Sequence, residues 1–161
     1  MRHPFLDAHE IIPNLWQGSL PPSGEALHSA GFQALVLCAR EIQPPGSDFP
    51  GVLVIHAPND DHSLYPLNRA KLRVALKAAR NVVELLQDGD RVLVTCAAGL
   101  NRSGLVSALS LHLRFGWTGA DCVDFVRAKR PTSRARPGMR ALGNSEFVQV
   151  LDRLPAIPMG A

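Results

Sequence analysis

Apolar residues along the chain follow two alternating rhythms. Short continuous runs, Phe32 to Ala39 (FQALVLCA), Gly51 to His56 (GVLVIH) and Arg91 to Thr95 (RVLVT), read as buried strands. Between Leu67 and Leu86 the rhythm changes. Leu72, Leu76, Ala79, Val83 and Leu86 recur at helical steps, with Lys71, Lys77, Arg80 and Glu84 elsewhere, which predicts an amphipathic helix ended by Asp88-Gly89-Asp90. Helical patterns also fit 102–115, 119–129 and 145–154. Ser23 can cap a short helix to about Ala30, stopped by Gly31. The stretch from Ile11 to Gly18 reads as a short strand pair or edge piece, because Pro13 forbids a central strand. Pro44-Pro45-Gly46 and the polar stretch 58–66 read as loops. Buried strands alternating with helices predict a single α/β domain. Its central, mostly parallel sheet has about four to five strands flanked by helices on both faces. Active sites in such sheets lie beyond the carboxyl ends of strands, and the loop after Thr95 is such a place.

Length and composition narrow the class. The chain has 161 residues, and 46% of them are hydrophobic and 19% charged. That is one globular domain, read as 11–154, with tails at 1–10 and 155–161. No apolar run approaches the ~18–20 residues of a membrane span. The N-terminal residues lack the apolar centre of a signal peptide. Three cysteines are too few for a disulfide scaffold, so a reducing, cytoplasmic setting is expected; separately, a monomer is expected. The net charge is +3, and 14 of the 17 basic residues are arginine. That excess is too mild for a strong nucleic-acid binder, and arginine suits planar recognition of phosphate.

The chemistry concentrates in Cys96-Ala97-Ala98-Gly99-Leu100-Asn101-Arg102-Ser103-Gly104. A cysteine six positions before an arginine is weak alone. Gly99, Ser103 and the strand–loop–helix setting make it specific. Successive N–H groups of a tight loop form an anion-binding nest. The outgoing helix adds its N-terminal N–H groups and the positive end of its dipole. Gly99 permits a backbone conformation other residues resist, and Arg102 can grip two phosphate oxygens. The thiolate is the nucleophilic form of cysteine, and a positive cradle favours it. The loop therefore suits covalent phosphoryl transfer through Cys96. A leaving ester oxygen needs a proton, and a neighbouring carboxylic acid would supply it. His56-Ala57-Pro58-Asn59-Asp60-Asp61-His62 offers Asp61 or Asp60, with His62 beside the pocket. A metal reading of these His and Asp residues finds no helical ligand spacing.

These residues resemble the Cys-x5-Arg protein tyrosine phosphatase superfamily, and within it the small dual-specificity branch. The resemblance runs from about Ile11 to Leu154. It is carried by 14–19 (NLWQGS), by 58–62 (PNDDH), similar to the branch's Pro-x-x-Asp loop, by Cys96 to Ser103, and by 144–147 (NSEF). It implies that Cys96 forms a phosphocysteine and Arg102 binds phosphate and stabilises the transition state. It also implies that Ser103 eases departure of the sulfur and Asp61 acts as general acid and then base. Ala97 to Arg102 would be the phosphate-binding loop. No metal or cofactor is implied, and the expected substrates are phospho-Tyr and phospho-Ser/Thr in proteins. Two positions depart from the pattern. Thr95 stands where the family has His, and Asn101-Arg102 resembles the RNA 5′-triphosphatase branch. That activity, phosphoinositide hydrolysis and a non-catalytic phosphate-binding module are the alternatives. The loop lacks the lysines typical of phosphoinositide-cleaving relatives.

Other candidates are weaker. Cys38, in a Leu-Cys-Ala stretch similar to one in the phosphatase-and-tensin homologue, is a possible redox partner of Cys96. The basic run 129–140 reads as a solvated loop that could attract phosphosubstrates. Cys122, Trp16, Trp117 and His112 read as packing residues.

Overall fold

The computed structural model describes residues 1–21, 23–62 and 67–160. The chain first doubles back at Pro13-Asn14, where Asn14 takes φ of 70°. This turn joins β1 (Ala8–Ile12) to an antiparallel β2 (Leu15–Gly18). The strands β3 (Ala34–Leu37), β4 (Leu53–His56) and β5 (Val92–Thr95) then add in parallel, giving the order β1-β2-β5-β3-β4. The helices among the described residues are α1 (Gly24–Ser29), α2 (Arg69–Gln87), α3 (Arg102–Phe115), α4 (Gly119–Lys129) and α5 (Ser145–Asp152). The expected α/β domain with a mostly parallel sheet is therefore present. None of these helices is long and apolar enough to cross a membrane.

The sheet is covered unequally. The helices α2 to α5 pack on the face that carries Ile11, Leu15, Val36, Val92 and Val94. The other face, with Trp16, Leu35, Leu37 and Leu93, is covered by Leu27 of α1, Phe32, Phe49 and Leu6. Each helix begins where a polar side chain answers a free N–H, as physical chemistry requires of a helix end. Ser23, Asn68, Thr118 and Asn144 accept from the N–H groups of Ala26, Lys71, Asp121 and Glu146. The exception is α3, which becomes important below. Cys122 and Trp16 are buried. His112 Nδ1 donates to the Trp117 carbonyl at 2.6 Å, and Trp117 stacks on Phe115 at 4.9 Å.

Four expectations need correction. The run from Gly51 to His56 forms the outermost strand, β4, with one neighbour only, and Leu53 is 56% exposed rather than buried. An apolar run looks the same whether its strand ends in the middle or at the edge. Conversely, the short strand pair expected over Ile11 to Gly18 is present as β1 and β2, but the limit drawn from Pro13 fails: β2 lies inside the sheet, because Pro13 falls in the turn before it. The first ten residues are not a loose tail. His3 and Leu6 are buried, Glu10 N donates to Met1 O at 2.8 Å, and β1 starts at Ala8. Finally, the basic run 129–140 is not all solvated, since Arg130 is fully buried. The last four residues of the loop expected at 58–66 lie outside the described residues.

Registration positions the site. Gly18, Thr95, Leu37 and His56 pair across β2, β5, β3 and β4, so these strands end on one line. The residues that follow, Ser19, Cys96, Cys38 and Ala57, emerge along the same edge of the sheet.

Candidate active site

The loop from Cys96 to Asn101 leaves β5 and enters α3. Its Gly99 sits at φ of 67°, and a Cβ built there would lie 2.2 Å from the Gly18 carbonyl carbon. Only glycine fits this close approach. Behind the loop, its carbonyls are turned outward and answered. Ala98 O accepts from Ser133 Oγ (2.7 Å) and Arg130 Nη2 (3.2 Å). Gly99 O accepts from Gln17 Nε2 (3.0 Å) and Arg130 Nε (3.1 Å), and Leu100 O accepts from Leu142 N (3.1 Å). Carbonyls held outward suit a loop whose N–H groups form an anion nest.

Arg130 is itself anchored. Its Nη1 donates to Asp7 Oδ1 (3.1 Å) and to His9 Nδ1 (2.8 Å). Burial, followed by the charges of Arg130 and Arg2, pushes His9 down to about 4, so its ring stays neutral and able to accept. Burial works against the Asp7 carboxylate, but Arg130 and the Arg134 N–H outweigh it and hold it below its usual range.

On the open side, Cys96 Sγ lies 3.3 Å from Ser103 Oγ, and both residues are buried. Arg102 is 7% exposed. Its Nη1 donates to the Glu41 carboxylate and to Asn59 O (3.2 Å). Its Nε is buried and has no partner among the described residues. Burial disfavours its charge, but Glu41, the Cys96 sulfur and Asp61 outweigh burial and hold it above its ordinary value.

The two candidate acids separate clearly. Asp61 shares a pocket with Cys96, Asn101, Arg136, Met139 and Asn144. Its Oδ2 accepts from Asn101 Nδ2 (3.0 Å) and its Oδ1 from Asn144 Nδ2 (2.9 Å). Asp60 is paired with Lys71 Nζ at 2.5 Å, and that partner holds it below the usual carboxylate range. It is absent from the lining of the Cys96 pocket. His62 lies in a neighbouring depression with Glu41, Asp60, Asp61 and Arg102.

Thr95 points elsewhere. Its hydroxyl donates to Val36 O (2.9 Å) and accepts from Gln43 Nε2 (2.9 Å), while Gln43 Oε1 accepts from Ala39 N (2.6 Å). The pair ties the segment carrying Glu41 to the strand end before Cys96. Cys38 is buried with a free thiol, pushed well up by burial and then by its electrostatic interaction with the neighbouring Cys96, with Arg102 opposing.

Sequence reasoning named Cys96, Arg102, Ser103 and Asp61; the structure sets Cys96 against Ser103, lines one pocket with Cys96 and Asp61, and lines the neighbouring depression with Asp61 and Arg102. It missed Glu41, Gln43, Arg130, Ser133 and Gln17. Glu41 had one available signal, since it follows a strand that ends level with β5. The others carried none.

No protein-family model matches the chain. The mouse protein laforin is 26% identical over 172 residues, which cover 91% of this chain and 51% of laforin. The chain thus spans about half the length of that curated relative. The crystal structure of Tk-PTP matches with a TM-score of 0.72 at 25% identity, covering 93% of this chain and 97% of the other. Human DUSP28 matches with a TM-score of 0.69 at 25% identity, covering 91% and 93%. All three are similar to dual-specificity phosphatases within the cysteine-based tyrosine phosphatase superfamily.

Proposed function

We propose that this chain is a cysteine-dependent phosphatase of the dual-specificity type, hydrolysing phosphomonoesters on phospho-Tyr and phospho-Ser/Thr of proteins in the cytoplasm. The observation that carries this is the buried, unpartnered Nε of Arg102, on the loop that begins with Cys96. Glu41 and Asn59 occupy Nη1. The guanidinium edge that includes Nε is then presented for two phosphate oxygens.

The reaction has two displacements. The Cys96 sulfur attacks phosphorus, an S–P bond forms, and the ester P–O bond breaks. Asp61 gives its proton to the leaving oxygen. Water then attacks the phosphocysteine, Asp61 takes a proton from it, and inorganic phosphate leaves. Ser103 Oγ, 3.3 Å from the sulfur, donates to it as the S–P bond breaks. Developing charge on the transferred group is met by the N–H nest, the start of α3 and Arg102.

An activity panel without added metal tests this reading, with phospho-Tyr peptide, phospho-Thr peptide, phosphoinositide and triphosphate-ended RNA as substrates. Turnover of the phosphopeptides is expected, with Cys96→Ser reducing it by at least about 10³-fold. Equal, slow hydrolysis by wild type and Cys96→Ser would leave a phosphate-binding module. Preference for the RNA end, insensitive to Asp61→Asn, would favour a triphosphatase.

Cys38 enters as a redox guard of the same site. Peroxide oxidises the Cys96 thiol to a sulfenic acid with loss of water. The Cys38 thiol then displaces a second water and forms the S–S bond, which an added dithiol reduces. Mass mapping after peroxide is expected to find a Cys38–Cys96 linkage. Finding only higher oxides of Cys96 would remove this role.

A further inference from the structure

Asn101 occupies the position before α3 where a side chain ordinarily caps the helix. Asn68 and Asn144 do this for α2 and α5. Asn101 makes no cap bond of its own. A cap of this kind contributes about 1 kcal/mol, so forgoing it has a cost. The first N–H groups of α3 belong to the anion cradle, and a carbonyl oxygen placed over them would compete with phosphate. The Asn101 side chain is directed elsewhere.

Both of its ends are engaged. Nδ2 donates to Asp61 Oδ2 at 3.0 Å, and Oδ1 accepts from Asn144 N at 3.1 Å. Asn144 closes the ring with Nδ2 donating to Asp61 Oδ1 at 2.9 Å. The amide therefore joins three segments distant in sequence: the phosphate loop, the loop after β4 and the start of α5. Glutamine would be a carbon longer and serine too short to span the same two partners.

We propose that Asn101 is a positioning residue for the chemical step, holding the Asp61 carboxyl over the cradle so that proton transfer meets the leaving oxygen. This deepens the phosphatase reading and rests on it. The Asn101 side chain acts through Asp61, while the backbone that the residue gives to the phosphate loop is kept when the side chain is changed. Its contribution is consequently selective. Substrates whose leaving oxygen needs a proton, such as alkyl phosphates, depend on it. Aryl phosphates with an electron-poor ring expel a stable anion and depend on it little.

The experiment compares wild type, Asn101→Ala and Asn101→Asp on a series of aryl and alkyl phosphates, with vanadate affinity measured alongside. Asn101→Ala is expected to lower kcat for alkyl phosphates by about 10–100-fold, part of the ~10²–10⁴-fold worth of a general acid. The loss for electron-poor aryl phosphates is expected below about 3-fold, and vanadate affinity within about 2-fold. Asn101→Asp keeps the size, sets a carboxylate against Asp61, and is expected to lose more. It is the variant to read if the alanine chain does not fold. In an Asp61→Asn background the effect of Asn101→Ala should shrink below about 2-fold, because its route is gone. Equal losses across leaving groups, the same loss in the Asp61→Asn background, or an Asn101→Asp enzyme with wild-type alkyl turnover would each overturn the proposal. Wild type lacking Cys96-dependent turnover would remove the site reading itself, a separate and visible failure.

Discussion

Two buried arginines stand at the same loop, and only one of them grips it. Arg130 stands behind it, fully buried, with donors on Ala98 O, Gly99 O, Asp7 and His9. Arg102 stands in front, with Nη1 engaged and a buried Nε unanswered. Native interiors rarely leave such a donor unpaired. The residue whose nitrogens all have acceptors is a frame, and the one left with an unanswered nitrogen is, in the proposed reaction, the group that meets phosphate. Burial and charge alone do not distinguish them; the difference lies in which donors already have acceptors.

The largest expected effect is on Arg102. Arg102→Lys should lower kcat/KM for an aryl phosphate by at least about 10²–10³-fold, because an ammonium lacks the planar two-donor edge. Its melting temperature should move little compared with the next variant. Lysine supporting near wild-type turnover would erase the distinction drawn between the two arginines.

Arg130→Met tests the frame. Removing one member of a buried ion pair costs about 3–5 kcal/mol, and here Asp7, His9 and two loop carbonyls lose a donor together. Urea unfolding should show a midpoint reduced accordingly. A variant as stable as wild type, but inactive, would move Arg130 into the chemistry.

The frame also predicts a pH dependence. His9 faces Arg130, Arg2, the N-terminal amine and Asp7, and its folded value is about 4 against an ordinary 6.5. Between those values the unfolded chain binds the extra proton. Stability is therefore complete above about pH 6.5 and lost as pH falls toward 4, by up to about 3 kcal/mol. His9→Gln should flatten the profile in that window. Asp7, held low by Arg130 once burial is outweighed, adds a separate loss only at still lower pH.

This division also explains what could be read from the sequence. The candidate loop was legible because its pattern is local: Cys96, Gly99, Arg102 and Ser103 fall in one turn between a strand and a helix. The helices were legible from their periodicity, and α3 and α4 begin and end where their patterns do. The frame was hidden because it is assembled from distant segments. Arg130 Nη1 reaches Asp7 across 123 positions, and Gln17 reaches Gly99 across 82. Nothing in the basic run 129–140 marks which arginine is buried. In the sequence Asn101 reads only as half of an Asn-Arg pair like that of the RNA 5′-triphosphatase branch, and its bonds to Asp61 and Asn144 join segments 40 and 43 positions away.

The smallest expected effect sharpens the comparison most finely. Gln17 Nε2 also holds Gly99 O, yet its own Oε1 is buried without a partner among the described residues. Gln17→Leu removes one hydrogen bond, worth about 1 kcal/mol, and also removes an unsatisfied oxygen whose burial costs a similar amount. Gly99 O keeps Arg130 Nε at 3.1 Å. The two changes nearly cancel, so stability should shift by less than about 1 kcal/mol and aryl phosphate turnover by less than about 3-fold. A loss as large as that of Arg130→Met would mean that Gln17, rather than Arg130, fixes the loop, and that the frame has been assigned to the wrong side chain.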